Sequence, residues 1–265
     1  MRLCGKANFL TTFVAMEENE MPAKEPCWFE AWFDSPFYHL LYKNRNEEEA
    51  QFFIDNLVKK LDLKKGAKIL DLACGKGRHA IHLNSLGCDV TGIDLSEESI
   101  NIAKKAENTT LAFFVHDMRE LYWSNYYDCI LNLFTSFGYF DDENDNLKTL
   151  QSVYDSLKPG GAFVIDFFNA AKVERELIAA EIVTADDTEF HISRQIKDGY
   201  IIKDIEVRTG EKVQHFMEKV QLLQPEHFRK WFAATGFEII NVWGDYSLNE
   251  FNSETSNRLI ITVRK

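Results

Sequence analysis

Residues 64 to 170 predict an α/β protein built on a parallel sheet covered on both faces, and residues 181 to 223 predict an antiparallel meander inserted into it. Three observations carry this. Apolar runs of strand length alternate with amphipathic stretches of helical period. Those runs are apolar at consecutive positions, as strands buried on both faces are. After residue 169 the rhythm changes to polar and apolar residues in alternation, punctuated by Asp198-Gly199 and Thr209-Gly210, which are hairpin signals.

The elements follow in order. Residues 27 to 63 read as helices, "CWFEAWFDSPFYHLLY" and "NEEEAQFFIDNLVKKLDL", with Pro36 after Asp34 and Ser35 marking a fresh start. "KKG" at 64–66 is a turn. "KILDLA" (68–73) is a strand and "GRHAIHLNSLG" (77–87) a helix closed by glycine. "DVTGID" (89–94) is the second strand, and "SEESINIAKKAE" (96–107) a helix capped by Ser96. "LAFFVH" (111–116) and "YDCILNLF" (127–134) are the third and fourth strands. "ENDNLKTLQSVYDSLKPGG" (143–161) is a helix ended by Pro159 and two glycines, leading into the strand "AFVIDFF" (162–168). "PEHFRKWFAATG" (225–236) is a helix, and "FEIINVW" and "RLIITVRK" close the chain as strands. The acidic run "DDENDN" (141–146) lacks the glycine and closing glutamate of a calcium loop and reads as a solvated helix start.

Composition narrows the class. At 265 residues, 45% hydrophobic and 27% charged, the chain can bury a large core. A net charge of -12 disfavours nucleic acid and anionic membranes as partners. Five scattered cysteines (Cys4, Cys27, Cys74, Cys88, Cys129) without a C-x-x-C pair predict reduced thiols in a cytoplasm, with no disulfide frame. No metal is expected: His79 and His82 lie one turn apart with no third ligand. The first 26 residues read as a flexible tail. Their "FLTTFVAM" imitates a signal peptide but is short and lacks a cleavage site, and Met16 or Met21 could serve as the start.

The chemistry gathers at "KILDLACGKGRHA". A buried strand ends in Asp71 and passes through Ala73, Cys74, Gly75 and Gly77 into a helix. Small residues there cost packing and backbone entropy, which is offset when a ligand must approach the backbone. The turn offers N–H groups and a positive helix end at the sheet's carboxyl edge. The second strand ends in Asp94, 23 residues on, where a carboxylate can accept both hydroxyls of a ribose. Its other reading is a helix cap, as Asp71's is to hold the turn. The A-x-G-x-G spacing fits a dinucleotide fingerprint poorly, and an acid in the turn favours a cationic ligand that carries a ribose.

"ILDLACGKGRHA", "VTGIDLSEESINIAKKA", "HDMREL" and "LKPGGAFVID" resemble, in order and spacing, the class I S-adenosylmethionine-dependent methyltransferases of small-molecule type. The resemblance is strong over residues 66 to 168, with Ala73 in place of the family's first glycine. It implies a Rossmann-like, doubly wound, seven-stranded sheet of order 3-2-1-4-5-7-6, and S-adenosylmethionine as cofactor. It also implies roles. Asp71, Ala73, Cys74, Gly75 and Gly77 would surround the methionine moiety, Asp94 would hold the ribose, and Leu95 would pack on adenine. Asp117 and the Met118 backbone would read the adenine edge, the chain around Leu133 would receive the ammonium, and Tyr42 and Arg45 would close over the cofactor. The domain then runs from 27 to 265, with a helical cover (27–63), a cofactor core (64–170), a meander or lid (171–223) and a closing helix and strands (224–265).

Tyr38, Ser136, Tyr139 and Asn169 are the candidate acceptor contacts, and no general base stands out. The aromatic residues Trp28 to Tyr42 read either as a cover over a cationic group or, for most, as packing of the first helix onto the sheet. The meander resembles the insertion in methyltransferases of sugar amines and glycine-type amines. The expected activity is therefore methyl transfer to a small molecule, nitrogen before oxygen, with a second copy of the chain as partner through the meander. A tRNA or protein acceptor, a non-catalytic cofactor binder and a nicotinamide-dependent oxidoreductase are the competing readings.

Overall fold

The structure is a computed structural model and describes residues 28–43 and 47–265. The predicted tail, 1–26, and Arg45 lie outside the described residues. Three helices, α1 (Trp28–Phe33), α2 (Pro36–Leu41) and α3 (Glu47–Lys60), precede the core. The Ser35 hydroxyl accepts the Phe37 N–H at the start of α2, with Pro36 at its first position. The core then runs β1 (Lys68–Leu72), α4 (Arg78–Ser85), β2 (Asp89–Asp94), α5 (Glu97–Ala103), β3 (Leu111–Val115), β4 (Tyr127–Asn132), α6 (Glu143–Ser156) and β5 (Leu157–Phe168). After α7 (Ala170–Arg175) come the four meander strands β6 (Ala180–Ala185), β7 (Thr188–Lys197), β8 (Tyr200–Thr209) and β9 (Lys212–Gln221). The chain ends with α8 (Pro225–Thr235), β10 (Glu238–Trp243) and β11 (Arg258–Arg264).

The main sheet has the order β3-β2-β1-β4-β5-β11-β10, and β11 is antiparallel to both neighbours. With the meander set aside, that is 3-2-1-4-5-7-6. The parallel strands are apolar on both sides because helices cover both faces. On one face α6 and α8 bring Leu150, Val153, Phe228 and Phe232; on the other α3, α4 and α5 bring Phe53, Leu57, Leu83 and Ile100. The Asp142 carboxylate caps α6 by accepting the Asn144 N–H, so the acidic run is a helix start. Among the described residues no helix is long and apolar enough to cross a membrane.

Two expectations change. "LKPGG" is not a turn ahead of the fifth strand: β5 already begins at Leu157, which pairs with Tyr127, and an irregularity in register absorbs the glycines. Nor do the aromatic residues of α1 and α2 pack on the main sheet. Trp32 is fully buried against Phe190, Ile192, Ile205 and Val207 of the meander. The meander has a separate apolar inner face that needs a cover, and α1 and α2 supply it.

The small residues of the β1–α4 turn divide by cause. Gly77 has φ +81°, and a Cβ there would lie 2.6 Å from the buried Phe113 ring. Gly92, opposite Asp71 in β2, is pressed by the same ring and by the Cys74 sulfur. Gly75, at φ +54°, would direct a Cβ toward no described atom within 4 Å. Gly77→Ala should therefore cost about 2–4 kcal/mol from overpacking and left-handed strain. Urea denaturation would show it as a lower midpoint at unchanged slope.

Candidate active site

The carboxyl ends of β1, β2, β4 and β5 open into one cleft of about 1030 Å³, with the cofactor-type turn on one side and α1, α2 and the meander on the other. This is the edge at which ligands meet open α/β sheets.

The turn wall is made by backbone and two acids. The Cys74 N–H donates to the Ile93 carbonyl, tying the turn to β2. Asp94 accepts the Gly75 N–H at 2.7 Å through one oxygen and the Ser96 N–H at 2.8 Å through the other. Ser96 itself caps α5, so Asp94 supports the cap without being it. Its lone pairs are not exhausted by two donors, and burial raises its pKa. Asp71 lies behind the turn at 1% exposure and accepts the Ala80 N–H of α4, while its Oδ2 has no partner among the described residues. Burial first, then repulsion from Asp94, pushes it up to about 7. An acid in the cleft wall with a second buried behind it makes this end of the cleft suited to a ligand that carries a positive charge and a ribose. The arrangement fits S-adenosylmethionine.

Leu95 is 39% exposed at the mouth of the cleft, with Met118 nearby in the lining. Asp117 also lines the cleft, but both its oxygens accept from Arg119, which in turn holds Asp145. Burial alone would raise the Asp117 pKa; the Arg119 hydrogen bonds hold it below the usual range.

The floor is the loop after β4. Phe134 and Thr135 both have positive φ, +59° and +64°, an uncommon strain for side-chain-bearing residues. It is held by Asp166, at 0% exposure: its Oδ2 accepts the Phe134 N–H at 2.9 Å and its carbonyl accepts the Thr135 N–H. The Arg258 Nε donates to Asp166 Oδ1 at 2.7 Å, and another nitrogen donates to the Thr135 hydroxyl. Asn132, fully buried, donates to the carbonyls of Leu72 and Ser136, joining the floor to β1. His79 stacks on Phe134 at 5.0 Å, and burial lowers its pKa to about 3, so it is a neutral imidazole.

The roof brings Tyr42 to Glu218. Glu218 Oε1 accepts from the Tyr42 hydroxyl at 2.7 Å and from the Trp32 indole at 2.7 Å. Lys203 donates to the Tyr42 hydroxyl and lies 3.4 Å from Glu218 Oε2. Tyr38 and Tyr139 line the cleft beside Phe33, and Ser136 lines it with its hydroxyl donated to the Leu133 carbonyl.

The cleft thus unites Ala73, Cys74, Gly75, Asp94, Leu95, Asp117, Met118, Leu133, Tyr38, Tyr42, Ser136 and Tyr139. It does not take in Gly77 or Asp71, which act from behind the turn. Asn169 is a correction: at 1% exposure it donates to the carbonyls of Ser253 and Ser256, anchors that loop, and is not among the residues that line the cleft. The residue of "DFFNA" that shapes the site is Asp166, three positions earlier. A signal was present, since it is an acid near a strand's carboxyl end, like Asp71 and Asp94. Arg258 and the Lys203–Glu218 pair gave no such signal, because their partners are more than 80 and 160 residues away in sequence for Asp166 and Tyr42 respectively.

Fold and site define a Rossmann-like transferase of the S-adenosylmethionine-binding class. A family model described as "Methyltransferase domain" matches residues 63–236, and the chain belongs to that family: it is a class I S-adenosylmethionine-dependent methyltransferase. It is 24% identical to a putative methyltransferase of Geobacillus sp. (strain WCH70), over 89% of this chain and 98% of that one. It is 25% identical to the dTDP-3-amino-3,4,6-trideoxy-alpha-D-glucopyranose N,N-dimethyltransferase of Streptomyces venezuelae, over 76% and 89%. A crystal structure of an S-adenosylmethionine-dependent methyltransferase from Clostridium acetobutylicum ATCC 824 shares the fold, with a TM-score of 0.73 at 21% identity, covering 86% of this chain and 95% of that one.

Two outcomes follow. A carboxyl whose folded pKa lies above its unfolded value near 4 loses its stabilising contribution as pH rises through the folded pKa, here between about pH 4 and 7, by roughly 4 kcal/mol. Urea midpoints of ligand-free protein should fall from pH 5 to 8 for the wild type and far less for Asp71→Asn, which keeps an oxygen for the Ala80 N–H. Arg258→Met leaves the buried Asp166 carboxylate uncompensated and should cost about 3–5 kcal/mol. Adding Asp166→Asn should return much of that loss in the same thermal melts.

Proposed function

We propose that the protein transfers the methyl group of S-adenosylmethionine to the amine of a small molecule. The observation that carries this reading is the roof. The cleft, of about 1030 Å³, is roofed by α1, α2 and the meander of the same chain, which suits a small acceptor beside the cofactor. An exposed face for a macromolecule is not what such a roof provides, and the net charge of -12 also opposes tRNA. The relative from Streptomyces venezuelae, an amino-sugar N,N-dimethyltransferase, supports nitrogen as the methylated atom.

The bound cofactor supplies a methyl group on a sulfonium, and the protein's work is alignment and exclusion of water. In this reading Asp94 accepts the ribose hydroxyls, Leu95 covers the adenine, and Asp117 with the Met118 backbone faces its edge. Ala73, Cys74 and Gly75 pass close to the methionine moiety, and the Leu133 carbonyl receives its ammonium. Tyr38, Tyr42, Ser136 and Tyr139 then border the acceptor. An amine need only arrive deprotonated, whereas a hydroxyl needs a base. His79, with its pKa near 3, is too weak a base for that. We also infer a cytoplasmic setting from the buried free thiols of Cys74, Cys88 and Cys129, and a homodimer through the exposed meander face around Ile182 and Val213, testable by sedimentation.

Calorimetry tests the site. S-adenosylmethionine should bind the wild type in the micromolar range typical of cofactors, at least tenfold more weakly to Asp94→Ala and Gly75→Ala, and NAD should not bind. Amines and matched alcohols are then compared for turnover. Methylation of the alcohols alone, or binding of NAD in place of S-adenosylmethionine, would contradict the reading.

A further inference from the structure

The aromatic residues of α1 divide between two tasks, and packing accounts for one of them. Trp32 is fully buried against the meander. Trp28 and Phe33 pack on that same cluster but stay half-buried and line the cleft. Tyr139, also half-buried, comes from the floor loop to meet them there. Its ring centroid lies 5.5 Å from that of Trp28 and 5.5 Å from that of Phe33, which are 6.0 Å from each other. The ring planes cross at 84°, 49° and 58°, so within the triad no ring lies flat on another. Large rings left half-open on the wall of a ligand cleft mark a binding surface.

Aromatic rings offer a cation their negative faces. In methyl transfer to an amine, the nitrogen lone pair forms the bond to the methyl carbon while the carbon–sulfur pair stays with sulfur. One unit of positive charge thereby passes from sulfur to nitrogen. A carboxylate beside that nitrogen would attract the charge, but it would also hold a proton on the incoming amine and occupy the lone pair the reaction needs. Ring faces attract the charge with a weaker hold on the proton. They also accommodate N-methyl groups, whose ammonium is less hydrated and loses less on leaving water. A wall of three rings therefore suits a nitrogen that already bears carbon better than it suits a primary ammonium.

We propose that the acceptor is an amine that already carries alkyl groups, and that Trp28, Phe33 and Tyr139 seat its nitrogen and the N-methylated ammonium that the transfer creates. This rests on the reading of the cleft as an amine methylation site, and it narrows that reading to secondary and tertiary amines. The cleft then holds positive charge in two ways, with carboxylates at the cofactor edge and ring faces at the acceptor. Trp28 and Phe33 belong to α1 and Tyr139 to the loop after β4, so the seat is complete only while roof and floor meet.

The test uses the full chain saturated with S-adenosylhomocysteine, so that no turnover occurs, and reads by calorimetry the affinity for three probes: choline, its neutral isostere 3,3-dimethylbutan-1-ol, and ethanolamine. Choline should bind about tenfold more tightly than either of the others. Trp28→Leu and Phe33→Leu, each checked for a normal melting temperature, should weaken choline about fivefold, while Trp28→Phe, which keeps a ring, should weaken it less than about twofold. S-adenosylhomocysteine affinity should stay within about twofold of wild type in all three variants. Rings that served the sulfonium instead would make the leucine variants lose affinity for S-adenosylmethionine and leave choline unchanged, which overturns the inference. So does binding of the isostere or of ethanolamine as tightly as choline, binding of none of the probes, or a choline affinity untouched by both leucine variants. A choline preference that Trp28→Leu removes, in a protein that methylates none of the amines tested, would uphold the seat and count against amine transfer. Methylation of amines without that preference would leave the transfer standing and overturn the seat.

Discussion

The fully buried ring of Phe113 is the contact on which the site's geometry depends. It fills the space that side chains at Gly77 and Gly92 would occupy, so β1 can turn into α4 while β2 runs alongside with no gap. That packing brings Asp71 and Asp94 to the same edge and leaves the Cβ direction of Gly75 facing open space. A tightly packed interior admits few alternatives at such a point, since even one added carbon must displace a ring. The cleft-lining glycine, Gly75, stands outside this constraint, so one five-residue turn holds glycines set by packing and a glycine that packing leaves open.

A second constraint lies across the cleft. The floor loop holds two residues in left-handed conformation, a cost the backbone does not meet by itself. The buried Asp166 compensates by accepting the N–H of each strained residue, and Arg258 pairs with its carboxylate. The floor, the last strand and the loop around Tyr246, whose ring stacks on Phe53 at 4.4 Å, become one assembly. The roof is tied in a comparable way, by Glu218 collecting donors from α1, the end of α2 and β8. Charged side chains thus do two jobs here: they fix the loops around the cleft and set its polarity.

Much of this was legible in the sequence, and the reasons are local. Strand and helix alternation, the Gly-rich turn and the acids ending β1 and β2 follow from short-range periodicity and turn chemistry, so they were read in place. The helical start at "DDENDN" was readable because a cap is decided within three residues. Asn169 was misread because strand-end position alone does not say which way a polar side chain is held. Its amide is taken by two carbonyls from a loop more than 80 residues later. "LKPGG" was misread because a proline and two glycines look like a stop, whereas pairing with β4 carries the strand through them.

By itself, the sequence determined the order of elements, the cofactor edge and the presence of a separate meander, since each depends on residues a few positions apart. Only the tertiary structure decided what the aromatic helices cover, which acid holds the floor, and that Trp28 and Phe33 meet Tyr139 at the cleft wall. Those depend on contacts between distant segments, where hydrophobic burial and the cost of unpaired buried charge select partners that no local pattern names.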